Sequence, residues 1–307
     1  MSEIIAVRNF SRSYGKVLAV KNLSLSVEKG ELFGLIGPDG AGKTTTMRTL
    51  CTLLSIDEGE MWIDGLNVQR DVSAVRSLLG YMPQRFSLYP DLSVKQNLRF
   101  FADLFGVPPD QRKKRLEDLY RFSRLEPFKD RLAKQLSGGM KQKLALSCTL
   151  IHTPKVLVLD EPTTGVDPVS RREFWNILRQ LRDEGVTILV STPYMDEALL
   201  CSRVAFMHKG ALLAMDKPQL ITRNFPHILY EVLAPNPQQI VPYFKQEVSI
   251  RSVQTFGDRL HVSFGAPLSE AEVKTIMEKS PRPITSIRRI EPGIEDTFME
   301  LMKVTGS

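Results

Sequence analysis

Apolar positions are distributed along the chain in three ways, and each marks a different kind of element. Residues 4–36 alternate between apolar and polar and are punctuated by Gly15 and Lys29-Gly30, which predicts a small antiparallel sheet. Three short runs are apolar without alternation: Leu32-Phe33-Gly34-Leu35-Ile36, Val156-Leu157-Val158-Leu159 and Val186-Thr187-Ile188-Leu189-Val190. A strand covered on both faces needs no polar side, so these runs predict central strands of a parallel sheet. Helical spacing marks Met47, Leu50, Leu53 and Leu54, predicting a helix over 43–54. It recurs at Leu98, Phe101, Leu104 and Phe105 and at Leu116, Leu119 and Tyr120, with breaks at Pro108-Pro109 and Pro127, so residues 85–150 read as mostly helical. A helix around Phe174 and Leu181 separates the last two apolar runs, which implies right-handed crossovers.

The pattern changes near Asn224-Phe225-Pro226. Beyond it, strands are predicted over 228–233, 248–255, 259–264 and 284–290, and helices over 238–245, 270–279 and 296–303. The order β-α-β-β-α-β matches the ferredoxin-like, split βαβ arrangement. The expected fold is therefore α/β over 1–224, a parallel sheet with an N-terminal antiparallel β-subdomain and a helical subdomain at about 85–150. A small α+β ferredoxin-like domain follows over 225–307.

The length of 307 residues suits two domains, and 42% hydrophobic with 25% charged residues is ordinary for a globular protein. The net charge of +6 is spread out, and its densest run, Arg112-Lys113-Lys114-Arg115, is followed by Glu117 and Asp118, as on a solvated helix face. No nucleic-acid partner is expected. Cys51, Cys148 and Cys201 are odd in number, widely spaced and without a C-x-x-C, which argues for reduced thiols over disulfides or zinc. The N-terminus lacks the basic-then-apolar order of a signal peptide, and no apolar run approaches the roughly 20 residues of a membrane span, so a membrane role is expected to go through a partner.

Residues 37–44, Gly37-Pro38-Asp39-Gly40-Ala41-Gly42-Lys43-Thr44, fit G-x-x-x-x-G-K-[ST]. Several backbone N–H donors must converge on one phosphate, and glycine at 37, 40 and 42 keeps side chains out of their way. The loop follows a predicted strand and opens a predicted helix, whose free N–H groups and positive dipole end favour an anion. Lys43 supplies a charge for β- and γ-phosphates and Thr44 a hydroxyl for Mg²⁺. ATP and Mg²⁺ are the expected ligands; a glycine-rich turn with a chance lysine is the bland alternative. Asp160 ends an apolar strand and Glu161 follows, a pair suited to holding a metal and polarising water, although a turn capped by Pro162 would look the same. In Leu136-Ser137-Gly138-Gly139-Met140-Lys141-Gln142, Ser137 reads as a helix N-cap, and the two glycines leave bare amides for a second anion.

In this order the motifs resemble the ATP-binding-cassette ATPases, the nucleotide-binding subunits of ABC transporters, over about residues 3–222. The resemblance implies a P-loop NTPase core and assigns roles. Tyr14 stacks on adenine, and the loop through Thr45 holds the phosphates. Gln84, in Tyr81-Met82-Pro83-Gln84, senses the metal and the membrane partner; Thr44, Gln84 and Asp160 hold Mg²⁺; and Glu161 is the catalytic base beside Lys43. Asp167, in Gly165-Val166-Asp167, crosses a dimer interface. Two cassettes would sandwich two ATPs head to tail, so that Ser137, Gly138 and Gly139 touch the nucleotide of the other subunit. The implied partners are a second cassette and an integral membrane subunit, with the chain peripheral at the cytoplasmic face.

One position departs from the pattern. The family places a histidine about thirty residues after the catalytic glutamate, where it bonds the γ-phosphate; here the segment is Ser191-Thr192-Pro193-Tyr194-Met195-Asp196-Glu197-Ala198. Pro193 has no polar side chain and no N–H, although proline also suits the first turn of a helix. His152, His208, His227 and His261 all lie elsewhere in sequence. The expectation is a site that binds ATP and hydrolyses it slowly, paired in a heterodimer rather than a homodimer.

The spacing from Lys43 to Ser137 leaves no room for the coiled-coil insertions of DNA-repair relatives. Gly80-Tyr81-Met82-Pro83-Gln84 and Leu88-Tyr89-Pro90-Asp91-Leu92-Ser93-Val94 resemble the ABC-2-type drug-exporter branch, and the cassette is similar to the N-terminal half of YbhF-type tandem ATPases. Glu291-Pro292-Gly293-Ile294-Glu295-Asp296-Thr297-Phe298 resembles the ending of exporter subunits. Phe86, Leu88 and Tyr89 are expected contacts for the membrane subunit, and 225–307 is expected to serve dimer contact or regulation. A non-transport switch or clamp and a regulatory pseudo-ATPase stay open as alternatives.

Overall fold

The computed structural model describes residues 2–85, 88–266 and 268–304. The chain divides into two compact units, Met1–Pro218 and Gln219–Ser307. The first holds β1 (Glu3–Tyr14), β2 (Val17–Glu28), β3 (Leu32–Ile36), α1 (Lys43–Leu50), β4 (Glu58–Ile63), β5 (Leu66–Asn67), α2 (Val72–Leu78) and β6 (Leu79–Met82). It continues through α3 (Val94–Leu104), α4 (Pro109–Ser123), α5 (Gly138–Leu150), β7 (Val156–Asp160), α6 (Pro168–Asp183), β8 (Thr187–Thr192), α7 (Met195–Ala198), β9 (Arg203–His208) and β10 (Ala211–Asp216). After α8 (Pro218–Arg223) come β11 (Ile228–Leu233), α9 (Val241–Phe244), β12 (Ile250–Phe256), β13 (Arg259–Phe264), α10 (Glu270–Glu278), β14 (Ser286–Ile290) and α11 (Ile294–Val304).

A six-stranded sheet of order β10-β9-β3-β8-β7-β6 forms the centre of the first unit. Its strands run parallel from β9 to β6, and β10 joins antiparallel. Every residue of β3, β7 and β8 is buried, as their unbroken apolar runs require of strands covered on both faces. A second, antiparallel sheet has the order β2-β1-β4-β5. One core joins the two: Ile5, Phe10 and Leu23 from the antiparallel sheet pack with Phe33, Leu35, Met47, Val158 and Leu189. The helix predicted over 43–54 stops at Leu50. Thr52 turns left-handed, its hydroxyl accepts from Arg76 Nε at 2.7 Å, and Leu53 points outward instead of extending the apolar stripe.

In the chain, α3, α4 and α5 come between β6 and β7, which are neighbours in the sheet. Ser93 starts α3 with a capping box, accepting from the Gln96 amide while Gln96 accepts from the Ser93 amide. One turn on, Asn97 is fully buried and fixes the preceding loop. Its oxygen accepts from the Tyr89 amide at 2.9 Å, and its nitrogen donates to the carbonyls of Tyr89, Leu92 and Ser93 at 3.0–3.1 Å.

The second unit is an antiparallel sheet of order β12-β13-β11-β14, the strand order of a split βαβ fold. Tyr230, Val232, Leu260, Val262 and Phe264 on one face pack against Phe244, Val273 and Met277. The helix predicted over 238–245 is interrupted: a 3₁₀ turn at Pro237–Gln239 precedes the one-turn α9. Pro242 carries no N–H and cannot continue a hydrogen-bonded helix from 238.

Asn97→Leu removes the side-chain hydrogen bonds that hold the 89–93 loop and leaves the Tyr89 amide without its acceptor. A loss of about 3 kcal/mol is expected in chemical denaturation, with new proteolysis near Tyr89; unchanged stability would show that the loop holds itself.

Candidate functional site

The phosphate loop lies between β3 and α1, and its glycines are required by close approach. A Cβ on Gly37 would sit 2.2 Å from the Met207 carbonyl. Gly42, at φ 100°, would place one 2.7 Å from the Ala19 carbonyl. The loop is thus wedged between β2 and β9, and its backbone is free to line a concave anion seat.

Lys43 opens α1 and is only 3% exposed. Its ammonium donates to the carbonyls of Gly37 at 2.8 Å and Pro38 at 3.1 Å and pairs with Glu161 Oε1 at 3.1 Å. The second Glu161 oxygen accepts from Gln84 Nε2 at 3.0 Å and from the Thr164 hydroxyl at 3.3 Å. Glu161 itself stands in the left-handed region, φ 49°, where its amide reaches Ser191 Oγ at 3.0 Å. That turn aims the carboxylate back toward the loop instead of along the strand.

Asp160, at the end of β7, is 1% exposed. Its Oδ1 accepts from Thr44 Oγ1 at 3.1 Å and Ser191 Oγ at 2.8 Å, while Oδ2 is buried with no partner. Burial, above all, pushes its carboxyl above the ordinary carboxylate value; Glu161 adds to this, and the Ser191 and Thr44 hydroxyls and Lys43 oppose it. Oδ2, the Thr44 hydroxyl and the carbonyl oxygen of Gln84 are hard oxygen donors of the kind Mg²⁺ takes, so the residues present fit such an ion.

The structure therefore brings together Lys43, Thr44, Gln84, Asp160 and Glu161, from three segments far apart in sequence. Ser137 and Gly138 lie outside this cluster: Ser137 caps α5 by accepting from the Met140 amide at 3.3 Å, and both are exposed. Gly139 is buried because α6 leaves it no room, a Cβ there meeting Ser170 Oγ at 2.3 Å. Asp167 caps α6, accepting from the amides of Val169 and Ser170, chiefly the latter, which holds its carboxyl below the ordinary value. Tyr14 ends β1 and is 47% exposed. Pro193 sits half-buried in the turn after β8, and among the described residues no histidine hydrogen-bonds Lys43, Asp160 or Glu161. Of the expected partner contacts, Tyr89 is 44% exposed, Leu88 is half-buried, and Phe86 lies outside the described residues. Sequence reading missed Ser191 and Thr164. Ser191 pairs in register with Asp160 across β7 and β8, a neighbour relation that one strand alone does not display.

The chain is similar to ATP-binding proteins of ABC transporters. The ABC transporter family model matches residues 20–164. A probable multidrug ABC transporter ATP-binding protein, YbhF of Escherichia coli, is 41% identical over 94% of this chain, which spans only 50% of that relative's length. The Nod factor export ATP-binding protein I of Burkholderia orbicola is 35% identical, with 97% of this chain and 96% of the relative covered. A dimeric bacterial ABC transporter cassette of known structure superposes with a TM-score of 0.63 at 26% identity, covering 70% of this chain and 98% of that one. The chain belongs to the ABC transporter family and is an ATP-binding subunit of it, built on a P-loop NTPase fold. No helix among the described residues is long and apolar enough to cross a membrane.

Because folding holds the Asp160 proton more tightly than the unfolded chain does, the contribution of Asp160 to stability falls as pH rises through the ordinary carboxylate range. The deficit is complete above the raised value. Asp160→Asn keeps the oxygen that meets Ser191 and Thr44 and removes the charge. It is expected to raise the nucleotide-free melting midpoint at neutral pH, with the gain shrinking in acid; an unchanged or lowered midpoint at pH 7 would contradict the burial argument.

Proposed function

We propose that this chain is the ATP-driven subunit of an exporter and that its own nucleotide site hydrolyses ATP slowly. The exporter reading is supported by relatives whose names describe multidrug transport and Nod factor export. The slow-turnover reading is carried by one observation: Glu161 has Lys43, Gln84 and Thr164 around it, and Pro193 stands in the turn where the family's histidine would face the γ-phosphate.

The chemistry follows from the pairs already present. Without nucleotide, Lys43 is neutralised by Glu161. Phosphate oxygens arriving in the loop are stronger partners for the ammonium, so Lys43 turns to the β- and γ-phosphates. Glu161 is thereby released from its counter-charge and, held by Gln84 and Thr164, can accept a proton from water attacking the γ-phosphorus. Mg²⁺, held by Thr44, Asp160 and Gln84, would neutralise charge on the phosphate oxygens. What is missing is a donor toward the γ-phosphate from the β8–α7 turn. One donor aimed at transition-state charge is worth about two orders of magnitude in rate. Such a site retains ATP longer than it cleaves it.

On the same reading a second cassette faces this one, and Ser137, Gly138 and Asp167 are exposed as cross-subunit contacts would need. A different cassette as that partner would supply the faster site. Tyr89, exposed beside Phe100 at a ring distance of 4.5 Å, belongs to the surface proposed for a membrane subunit at the cytoplasmic face.

Pro193→His is expected to raise the ATPase rate of the purified chain about tenfold or more, with ATP affinity within about twofold. Glu161→Gln is expected to abolish what turnover there is. Brisk turnover by the unmodified chain, on the order of 10 per second and indifferent to Glu161→Gln, would contradict the reading.

A further inference from the structure

The hairpin tip that carries Tyr14 is anchored by residues outside the catalytic cluster. Val20 of β2 lies against the phosphate loop: a Cβ on Gly42 would meet its Cγ2 at 3.1 Å. Val20 pairs with Arg12 across the hairpin, and Tyr14 pairs with Val17 at the tip. Tyr14 is thus about 7 Å along the strand from the pair that touches the loop, within the span of one nucleotide whose phosphates sit at Gly42.

Arg12 lies under the Tyr14 ring, its guanidinium carbon 5.6 Å from the ring centroid. The guanidinium is fixed from outside. Its Nη1 pairs with Asp57 Oδ1 and donates to Ser55 Oγ at 2.9 Å. Asp57 is itself fixed, its Oδ2 accepting from the Ser13 amide at 2.8 Å. The residues that hold the cation therefore lie in the connection before β4, while the ring it supports ends β1.

We propose that Arg12 is a positioning residue for the base of the nucleotide: it holds the Tyr14 ring over an anchored cation and leaves the open side of the ring as a platform for a purine. This rests on the reading of Tyr14 as the adenine contact. Two physical effects follow. A side chain at a hairpin tip normally loses rotamer freedom when a ligand stacks on it, and the anchored cation removes that freedom beforehand. The cation also draws the negative face of the ring toward itself, in the geometry in which guanidinium groups and aromatic rings attract. A lysine keeps the charge but not the planar guanidinium that lies over the ring, so it should substitute only in part.

The test is calorimetric titration of the full chain with Mg-ATP and with Mg-tripolyphosphate, which has the phosphates and no base. Arg12→Ala is expected to weaken ATP about fivefold while tripolyphosphate stays within about twofold, with Arg12→Lys recovering part of the loss. In a Tyr14→Ala background, Arg12→Ala should weaken ATP no further. Unchanged ATP affinity in Arg12→Ala, beside a clear loss in Tyr14→Ala, overturns the role of Arg12 and leaves the adenine reading standing. An equal loss for ATP and tripolyphosphate overturns it as well, since that marks general damage to the fold. If Tyr14→Ala itself leaves ATP affinity intact, the adenine reading falls, and this inference with it.

Discussion

A single ammonium, that of Lys43, sits between the phosphate loop and two carboxylates, and the rest of the first unit is arranged so that this is possible. Lys43 and Glu161 are both almost wholly buried, at 3% and 6% exposure, and Asp160 is deeper still. Taking such charges out of water costs several kcal/mol per ion, so the pair at 3.1 Å is a poor source of stability. The arrangement makes sense as a device with exchangeable partners. One positive charge cannot satisfy two buried carboxylates: burial above all raises the proton affinity of Asp160, the Glu161 charge adds to it, and Oδ2 of Asp160 has no partner. Phosphates and a divalent cation, entering together, would complete both sides of that imbalance.

The strands carry these charges because their ends coincide. β3, β7 and β8 are neighbours in register, so Ile36 lies beside Thr192 and Asp160 beside Ser191. Hydroxyls at these ends do the positioning: Ser191 serves Asp160 and the Glu161 amide, and Thr192 donates to the buried Glu197 at 2.5 Å. Glu197 also accepts from Thr163 at 2.8 Å, and the Tyr194 amide donates to Thr192 Oγ1 at 3.0 Å. Arg171 of α6 stacks over Tyr194 at 4.2 Å. The turn holding Pro193 is therefore fully built; what it lacks is a polar group at one position, not order.

Much of this was legible in the sequence, for physical reasons that differ by element. The central strands declared themselves because burial on both faces leaves no polar residue in the run. The phosphate loop did so because only glycine survives at the 2.2 Å approach of Gly37 to β9. Asn97 and Ser191 did not, since a lone polar residue in an apolar stretch reads as an interruption, and its partners are set by a loop fold or by a strand 31 residues away. Helix ends were misjudged where a side chain left the stripe, at Leu53, or where an interior proline broke the ladder, at Pro242. At Leu53 the deciding partner was remote in sequence, Arg76 for Thr52; at Pro242 the proline itself decided.

The proposed slow cleavage of bound ATP is most directly examined by asking what nucleotide the protein holds. The purified chain would be incubated with base-labelled ATP and Mg²⁺, freed of unbound nucleotide on a desalting column after several minutes, and the retained nucleotide separated by chromatography. The account predicts that the retained label is mainly ATP. Label retained mainly as ADP would contradict it.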